Sequence, residues 1–356
     1  MRSVSIPDAG KIMDTYCLAG LVPFLKGAPG IGKSAAVKEF AKNRNLYLVD
    51  IRLAQCDPTD LSGFPAIDKE KNKAYYVPMS MFPLEGDPIP EGYSGWCLFF
   101  DELNGADRGT QKASYKVFLD KQVGQANIHK KVIMIAAGNN ETDNALVEEL
   151  SSALQSRLVH IQVHSYAPAW LSWADTKEIA HEIKSFVSWN PQNLNTFDPD
   201  NQGDEPTYAC ERTWDMVSKV LMPKLSATGQ VIKPAFDPRG PLALETLSGI
   251  IGEGKATEFL GYLRIFKDLP TIKNMQDAPT TTTMPTAPGT LYALSGVIGH
   301  GIKEANAAAL ITFVRRMAQE YQVITMRSIN ANNPKLIRTQ SIKDWIADNN
   351  TEMFAA

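Results

Sequence analysis

The sequence predicts an α/β chain: a doubly wound parallel sheet first, a helical lid next, and a helical C-terminal extension last. Three observations carry that prediction. Short continuous apolar runs alternate with helix-like stretches up to about residue 165, and such runs mark strands buried on both faces. The first of them, Gly20 to Lys26, leads straight into a glycine-rich loop that opens a helix. Beyond about residue 167 the apolar spacing becomes helical.

Taken in order, a helix is expected over Ser34 to Asn43 and a second strand over Leu46 to Leu53. Gly95 to Phe100 is the third strand, ending in Asp101. Val132 to Ala137 is the fourth, ending at Gly138-Asn139, and Leu158 to Val163 is the fifth. In such a sheet a ligand sits at the carboxyl ends of the strands. Two stretches interrupt the rhythm, about 57–90 and 120–131. The first contains a hairpin over Phe64 to Val77; the second is a hairpin with its turn near Gln125 to Asn127. Helices are expected over Pro168 to Ala174, Thr176 to Trp189, Glu211 to Leu221, Pro241 to Leu263, Ala305 to Tyr321 and Ser341 to Asn349. Asp277 to Gly289, with Thr280 to Thr283 and three prolines, is a loop. The implied domains are 1–165, 166–265 and 266–356.

Composition sets the bounds. A chain of 356 residues holds one α/β domain plus a smaller second domain. Hydrophobic residues make up 44%, enough for a sizeable core, and a net charge of −3 gives no support to a dominantly basic, nucleic-acid-binding surface. Cys17, Cys56, Cys97 and Cys210 form no metal-ligand spacing and read as reduced thiols. His160 and His164 fall on one strand roughly 13 Å apart, too far to share a zinc ion. There is neither a basic-then-apolar leader nor a membrane-length apolar run, so the expected location is cytoplasmic.

Gly27-Ala28-Pro29-Gly30-Ile31-Gly32-Lys33-Ser34 matches G-x-x-x-x-G-K-[ST] in full, after a strand and before a helix. Glycines let backbone N–H groups fold around phosphates, and the helix N-terminus adds favourable partial charge. With Ala35, these residues are the expected nucleotide-binding run. Lys33 suits the β- and γ-phosphates, and the Ser34 hydroxyl suits Mg²⁺. Trp96-Cys-Leu-Phe-Phe-Asp101-Glu102 brings two carboxylates to the sheet rim. Asp101 would hold the Mg²⁺ shell and Glu102 would polarise the attacking water. Asn139 either orients that water or the γ-phosphate, or simply ends a strand in a Gly-Asn turn. Arg157 is either a finger for a neighbouring nucleotide site or a helix-end arginine. Arg212 either reaches phosphates from the lid or is a surface charge.

In this order the motifs resemble the AAA+ ATPases, and most closely the MoxR, or dynein-related, branch found in bacteria and phages. The residues that carry the likeness are Gly27 to Ser34, Phe99-Phe-Asp-Glu-Leu-Asn104, Ala136-Ala-Gly-Asn139, Ser156-Arg157 and Arg212-Thr-Trp214. Asp57 to Pro65 is similar to the segment that opens that branch's helix-2 insert, and Asp120-Lys-Gln-Val-Gly124 to its pre-sensor hairpin. The likeness spans about 15–265. It implies ATP and Mg²⁺ as ligands, Asn139 as sensor 1, Arg157 as arginine finger, Arg212 as sensor 2, and a homo-oligomeric ring, usually a hexamer. It also implies a separate partner bearing a von Willebrand factor A domain. The branch often has Asp-Arg-Phe and Pro-Arg where this chain has Ser156-Arg157-Leu158 and Glu211-Arg212. The leading expectation is remodelling of a client protein. A nucleic-acid motor, supported by Lys69, Lys71, Lys73, Lys130 and Lys131 on the hairpins, is the alternative; a nucleotide-controlled scaffold is a third.

Overall fold

The computed structural model describes residues 2–70, 72–143, 148–200, 205–222, 224–225, 231–232, 236–267 and 269–349. The chain divides into two compact units. The first comprises Met1–Ala169 with Phe197–Gly203, and the second Trp170–Thr196 with Asp204–Ala356.

The first unit runs α1 (Ile6–Leu18), β1 (Pro23–Lys26), α2 (Lys33–Asn43), β2 (Leu46–Arg52), α3 (Pro58–Ser62), β3 (Phe64–Asp68), β4 (Lys73–Val77) and β5 (Gly95–Asp101). It continues with α4 (Arg108–Asp120), β6 (Gln122–Val123), β7 (Ala126–Asn127), β8 (Val132–Gly138), α5 (Ser152–Gln155) and β9 (Val159–Gln162). Five strands form one parallel sheet in the order β2-β5-β8-β1-β9. All five expected strands are there, within a few residues of the expected ends.

The sheet is covered on both faces, as the continuous apolar runs require. Side chains alternate along β5: Cys97 and Phe99 join Ala9 and Met13 of α1 and Val37, Phe40 and Ala41 of α2. Leu98 and Phe100 join Val117 and Phe118 of α4 and Leu154 of α5 on the opposite face. Burial of Cys97 and Cys17 pushes both thiols up to about 12, so they stay protonated at neutral pH. All four cysteines are free.

Helices α1 and α4 went unassigned in the sequence. Ser5 caps α1 by accepting from the Asp8 amide, with Pro7 in the first turn. Asp107 caps α4 by accepting from Gly109 and Thr110. Both inserted hairpins form: β3 with β4, and β6 with β7. The second turns earlier than expected, at Gly124-Gln125, because Gly124 takes φ +58° and Ala126 and Asn127 belong to the returning strand.

The second unit takes up α6 (Ala167–Asp175), which spans the division. It continues with α7 (His181–Trp189), α8 (Glu211–Leu221), the short antiparallel pair β10 (Lys224–Leu225) and β11 (Val231–Ile232), α9 (Ala243–Ile251) and α10 (Glu253–Lys267). It ends with α11 (Ile272–Asp277), α12 (Pro288–Gly301), α13 (Ala307–Val314), α14 (Gln319–Asn332) and α15 (Gln340–Asp348). Its centre is aromatic: Phe186 meets Phe259 at 5.0 Å and Trp214 at 5.7 Å between ring centroids. The Trp214 indole N–H donates to the Asn193 carbonyl at 3.0 Å.

Here the structure departs from three of the expected helices. The expected helix over Thr176 to Trp189 begins only at His181. Pro241 to Leu263 is two helices, broken at Gly252 with φ +80°. Ala305 to Tyr321 breaks after Val314, where the Arg316 guanidinium donates to the Pro279 and Thr282 carbonyls. The ribbon β10–β11 and helices α11 and α12 were not foreseen, and α14 overlaps the expected helices only over Gln319 to Tyr321. Among the described residues, no helix is long and apolar enough to cross a membrane.

Leu98 is fully buried in the sheet centre. Leu98→Ala should lower the unfolding free energy of this unit by about 2–5 kcal/mol, read by urea titration.

Candidate nucleotide-binding site

Parallel pairing puts the carboxyl ends of β1, β5 and β8 side by side. After β1 the chain leaves to one side, through β2, β5 and β8, and then crosses over β1 to β9. This reversal of direction opens a crevice at the end of β1. Residues 27–32 fill that position and α2 follows directly.

The loop's glycines are there for room and for conformation. A Cβ on Gly27 would lie 2.6 Å from the Val163 carbonyl oxygen. Gly30 and Gly32 take φ +80° and +97°, where a side chain is strained. Gly32 is the N-cap of α2 and carries no side chain, so the first-turn amides of α2 remain open to an anion. Ile31 anchors the loop from below in the α1/α2 core, and Ala35 lies exposed in the first turn.

Lys33 is 7% exposed. Its ammonium donates to the Gly27 carbonyl at 2.7 Å, the Ala28 carbonyl at 2.9 Å and the Asn139 Oδ1 at 3.1 Å. The Ser34 hydroxyl donates to Asp101 Oδ2 at 2.7 Å. Two oxygens from separate motifs thus stand side by side, the hard-oxygen pair an octahedral Mg²⁺ takes. The donor set fits that ion, with Ser34 and Asp101 as the residues that would hold it.

Asp101 Oδ1 accepts from the Glu102 amide at 3.0 Å. Glu102 adopts φ +56°, a left-handed conformation that a β-carbon makes costly and that concentrates at functional sites. The bend turns its half-exposed side chain off the strand line. Its Oε1 lies 3.9 Å from the Arg52 guanidinium at the end of β2, the residue in register with Asp101.

Asn104 ends the Phe99-to-Asn104 motif, and the sequence alone assigns it no role. It is 1% exposed and clamps the backbone of Asn139: its Nδ2 donates to the Asn139 carbonyl at 2.8 Å, and its Oδ1 accepts from the Asn139 amide at 3.1 Å. The approach is close enough that a Cβ on Gly138 would fall 2.2 Å from Asn104 Oδ1. Asn104 therefore fixes the angle at which Asn139 meets Lys33. The only sequence signal for it was an amide three residues beyond Asp101. Arg52 gave no signal, because its partnership depends on strand register.

The structure thus brings together Lys33, Ser34, Asp101, Glu102 and Asn139. Neither arginine takes part in the hydrogen bonds that join these residues. Arg157 follows α5, and its Nη1 donates to the Ala153 carbonyl at 2.6 Å within its own helical turn. Its Nε is buried with no hydrogen-bond partner. Arg212 is exposed in the first turn of α8, in the second unit. His160 Nε2 lies 3.0 Å from the Gln155 carbonyl and its ring stands edge-on to Phe24, a packing role. No group of three His, Cys, Asp or Glu suited to a metal occurs among the described residues.

The chain matches no known family model and no curated protein. Solved structures align with it at low identity. A candidate ATPase from Cytophaga hutchinsonii is 15% identical, with a TM-score of 0.34, over 88% of this chain and 77% of that one. NtrX from Brucella abortus is 15% identical, with a TM-score of 0.39, over 97% and 66%. A RuvB mutant from Thermotoga maritima is 13% identical, with a TM-score of 0.38, over 92% of each. Likeness at these levels carries no argument about activity; the fold rests on the strand order and register above.

Asn104→Ala removes both bonds to the Asn139 backbone. Stability should fall by about 1–3 kcal/mol, and hydrogen exchange at the Asn139 amide should accelerate by about tenfold. An unchanged exchange rate would show that Asn139 is held by something else.

Proposed function

We propose that the chain is a Mg²⁺-dependent ATPase of the AAA+ type. One observation carries the reading: the Ser34 hydroxyl and the Asp101 carboxylate, 67 residues apart in sequence, meet at 2.7 Å beside the glycine-rich loop. In the proposed reaction Lys33 exchanges the Gly27 and Ala28 carbonyls for β- and γ-phosphate oxygens. The backbone N–H groups of residues 30–35 surround the phosphates. Mg²⁺ supplies charge neutralisation when bound, and Ser34 and Asp101 would hold it. Glu102 takes a proton from a water whose oxygen attacks the γ-phosphorus. The bond from that phosphorus to the β,γ-bridging oxygen breaks, giving ADP and inorganic phosphate. Asn139, aimed by Asn104, positions the water or the γ-phosphate.

The reading extends to assembly. Arg157 would serve a neighbouring subunit's site, and Arg212 would act from a lid over 166–265, in a ring, six-membered as in the MoxR branch. In the single chain Arg157 is folded onto α5, so ring formation would have to draw it out. The work is assigned to remodelling of a client protein in the cytoplasm, with a separate von Willebrand factor A domain protein as partner. The hairpin β3–β4 favours a protein client. Phe64, Ile67, Tyr75, Tyr76 and Val77 are all exposed on it, at 43–72%, an apolar density suited to polypeptide contact. Against a nucleic-acid motor, Lys130 is paired with Glu85 at 3.7 Å, which leaves fewer free cations for phosphates. Lys71 lies outside the described residues.

Glu102→Gln keeps the side chain's shape and removes its basicity. It should leave ATP affinity within about threefold of the native value and cut turnover by about a hundredfold or more. Equal turnover in the two proteins would remove Glu102 from the mechanism.

A further inference from the structure

The second unit carries a recess that the ATPase reading does not use. It has a volume of about 330 Å³ and opens between the segment after α12 and the segment before α15. Lys303, Lys335 and Arg338 line it, with Glu304, Leu336 and Thr339. All three cations are exposed, and among the described residues none has an acidic partner within ion-pair distance. This differs from Arg315, which pairs with Asp348 at 2.8 Å. Glu304 offsets one of the three charges at most, so the recess stays cationic in a chain whose net charge is −3.

The backbone adds to that charge. Thr339 is the N-cap residue of α15, yet its hydroxyl donates backward to the Leu336 carbonyl at 2.7 Å and caps no amide of α15. The first-turn amides of α15 therefore begin beside the recess without a side-chain acceptor. Three unpaired cations repel one another, and an anion placed among them relieves the repulsion. An arginine fork and two lysine point charges suit phosphate oxygens. The volume is at the lower end of small-molecule sites, which run to about 300–1,000 Å³. It suits a compact ligand better than a polymer strand.

We infer that this recess binds the phosphate group of a small phosphorylated molecule, at a site separate from the loop at Gly27. The inference does not rest on the ATPase reading. Its test uses the full chain with Lys33→Ala, which weakens phosphate binding at the loop, titrated calorimetrically with sodium pyrophosphate. One binding event is expected to persist. It should weaken by at least about tenfold on adding Lys335→Glu and Arg338→Glu together, and survive Lys335→Arg. Thermal unfolding checks that the doubly substituted chain folds; if it does not, Lys303→Gln is read in its place and should weaken binding in the same direction. The inference is overturned if the Lys33→Ala chain binds no pyrophosphate or if charge reversal leaves the affinity unchanged. It is also overturned if a short single-stranded oligonucleotide binds through Lys335 and Arg338 while pyrophosphate does not. Glu102→Gln turnover is unaffected by any of these results, so the two readings fail separately.

Discussion

The hydrogen bond from Ser34 to Asp101 is the contact on which the site depends. Ser34 belongs to the first turn of α2 and Asp101 to the end of β5, and they meet only because β5 and β1 run parallel on either side of β8. A one-residue slip of β5 against β8 would turn Asp101 to the opposite face and exchange the two apolar sets that cover the sheet. The packing of Cys97 and Phe99 on one side and Leu98 and Phe100 on the other forbids that slip. Core packing therefore sets the position of the carboxylate, and the chemistry inherits its geometry from the sheet.

The same logic runs through the rest of the site. Lys33 is held by carbonyl oxygens of its own loop, which keep a nearly buried ammonium solvated by dipoles. Asn104 holds Asn139, and Asn139 meets Lys33, so β5 and β8 are coupled through one buried amide. Glu102 is the strained member. Its left-handed backbone separates its carboxylate from that of Asp101, so two adjacent acids take different partners: Ser34 for one and Arg52 for the other.

Much of this was legible in the sequence where local rules govern. Continuous apolar runs located all five strands, since strands buried on both faces need no alternation. The glycine loop declared itself through spacing. Helices α1 and α4 were not among the expected elements, although caps at Ser5 and Asp107 mark their starts. The break at Gly252 was missed because a glycine inside an apolar helix pattern is compatible with either outcome. Asn104 and Arg52 were out of reach for a different reason. Their roles come from register between strands distant in sequence, which no local pattern encodes.

The central claim is that the loop at Gly27 and the acidic pair at Asp101 act together on a metal-bound triphosphate. Equilibrium binding of a fluorescent ATP analogue, with and without Mg²⁺, to the native chain and to Lys33→Ala tests it most directly. The account predicts tight binding to the native chain, strengthened by Mg²⁺, and a loss of about a hundredfold on replacing Lys33. Native-like affinity in the Lys33→Ala chain, or no binding to the native chain at all, would contradict it.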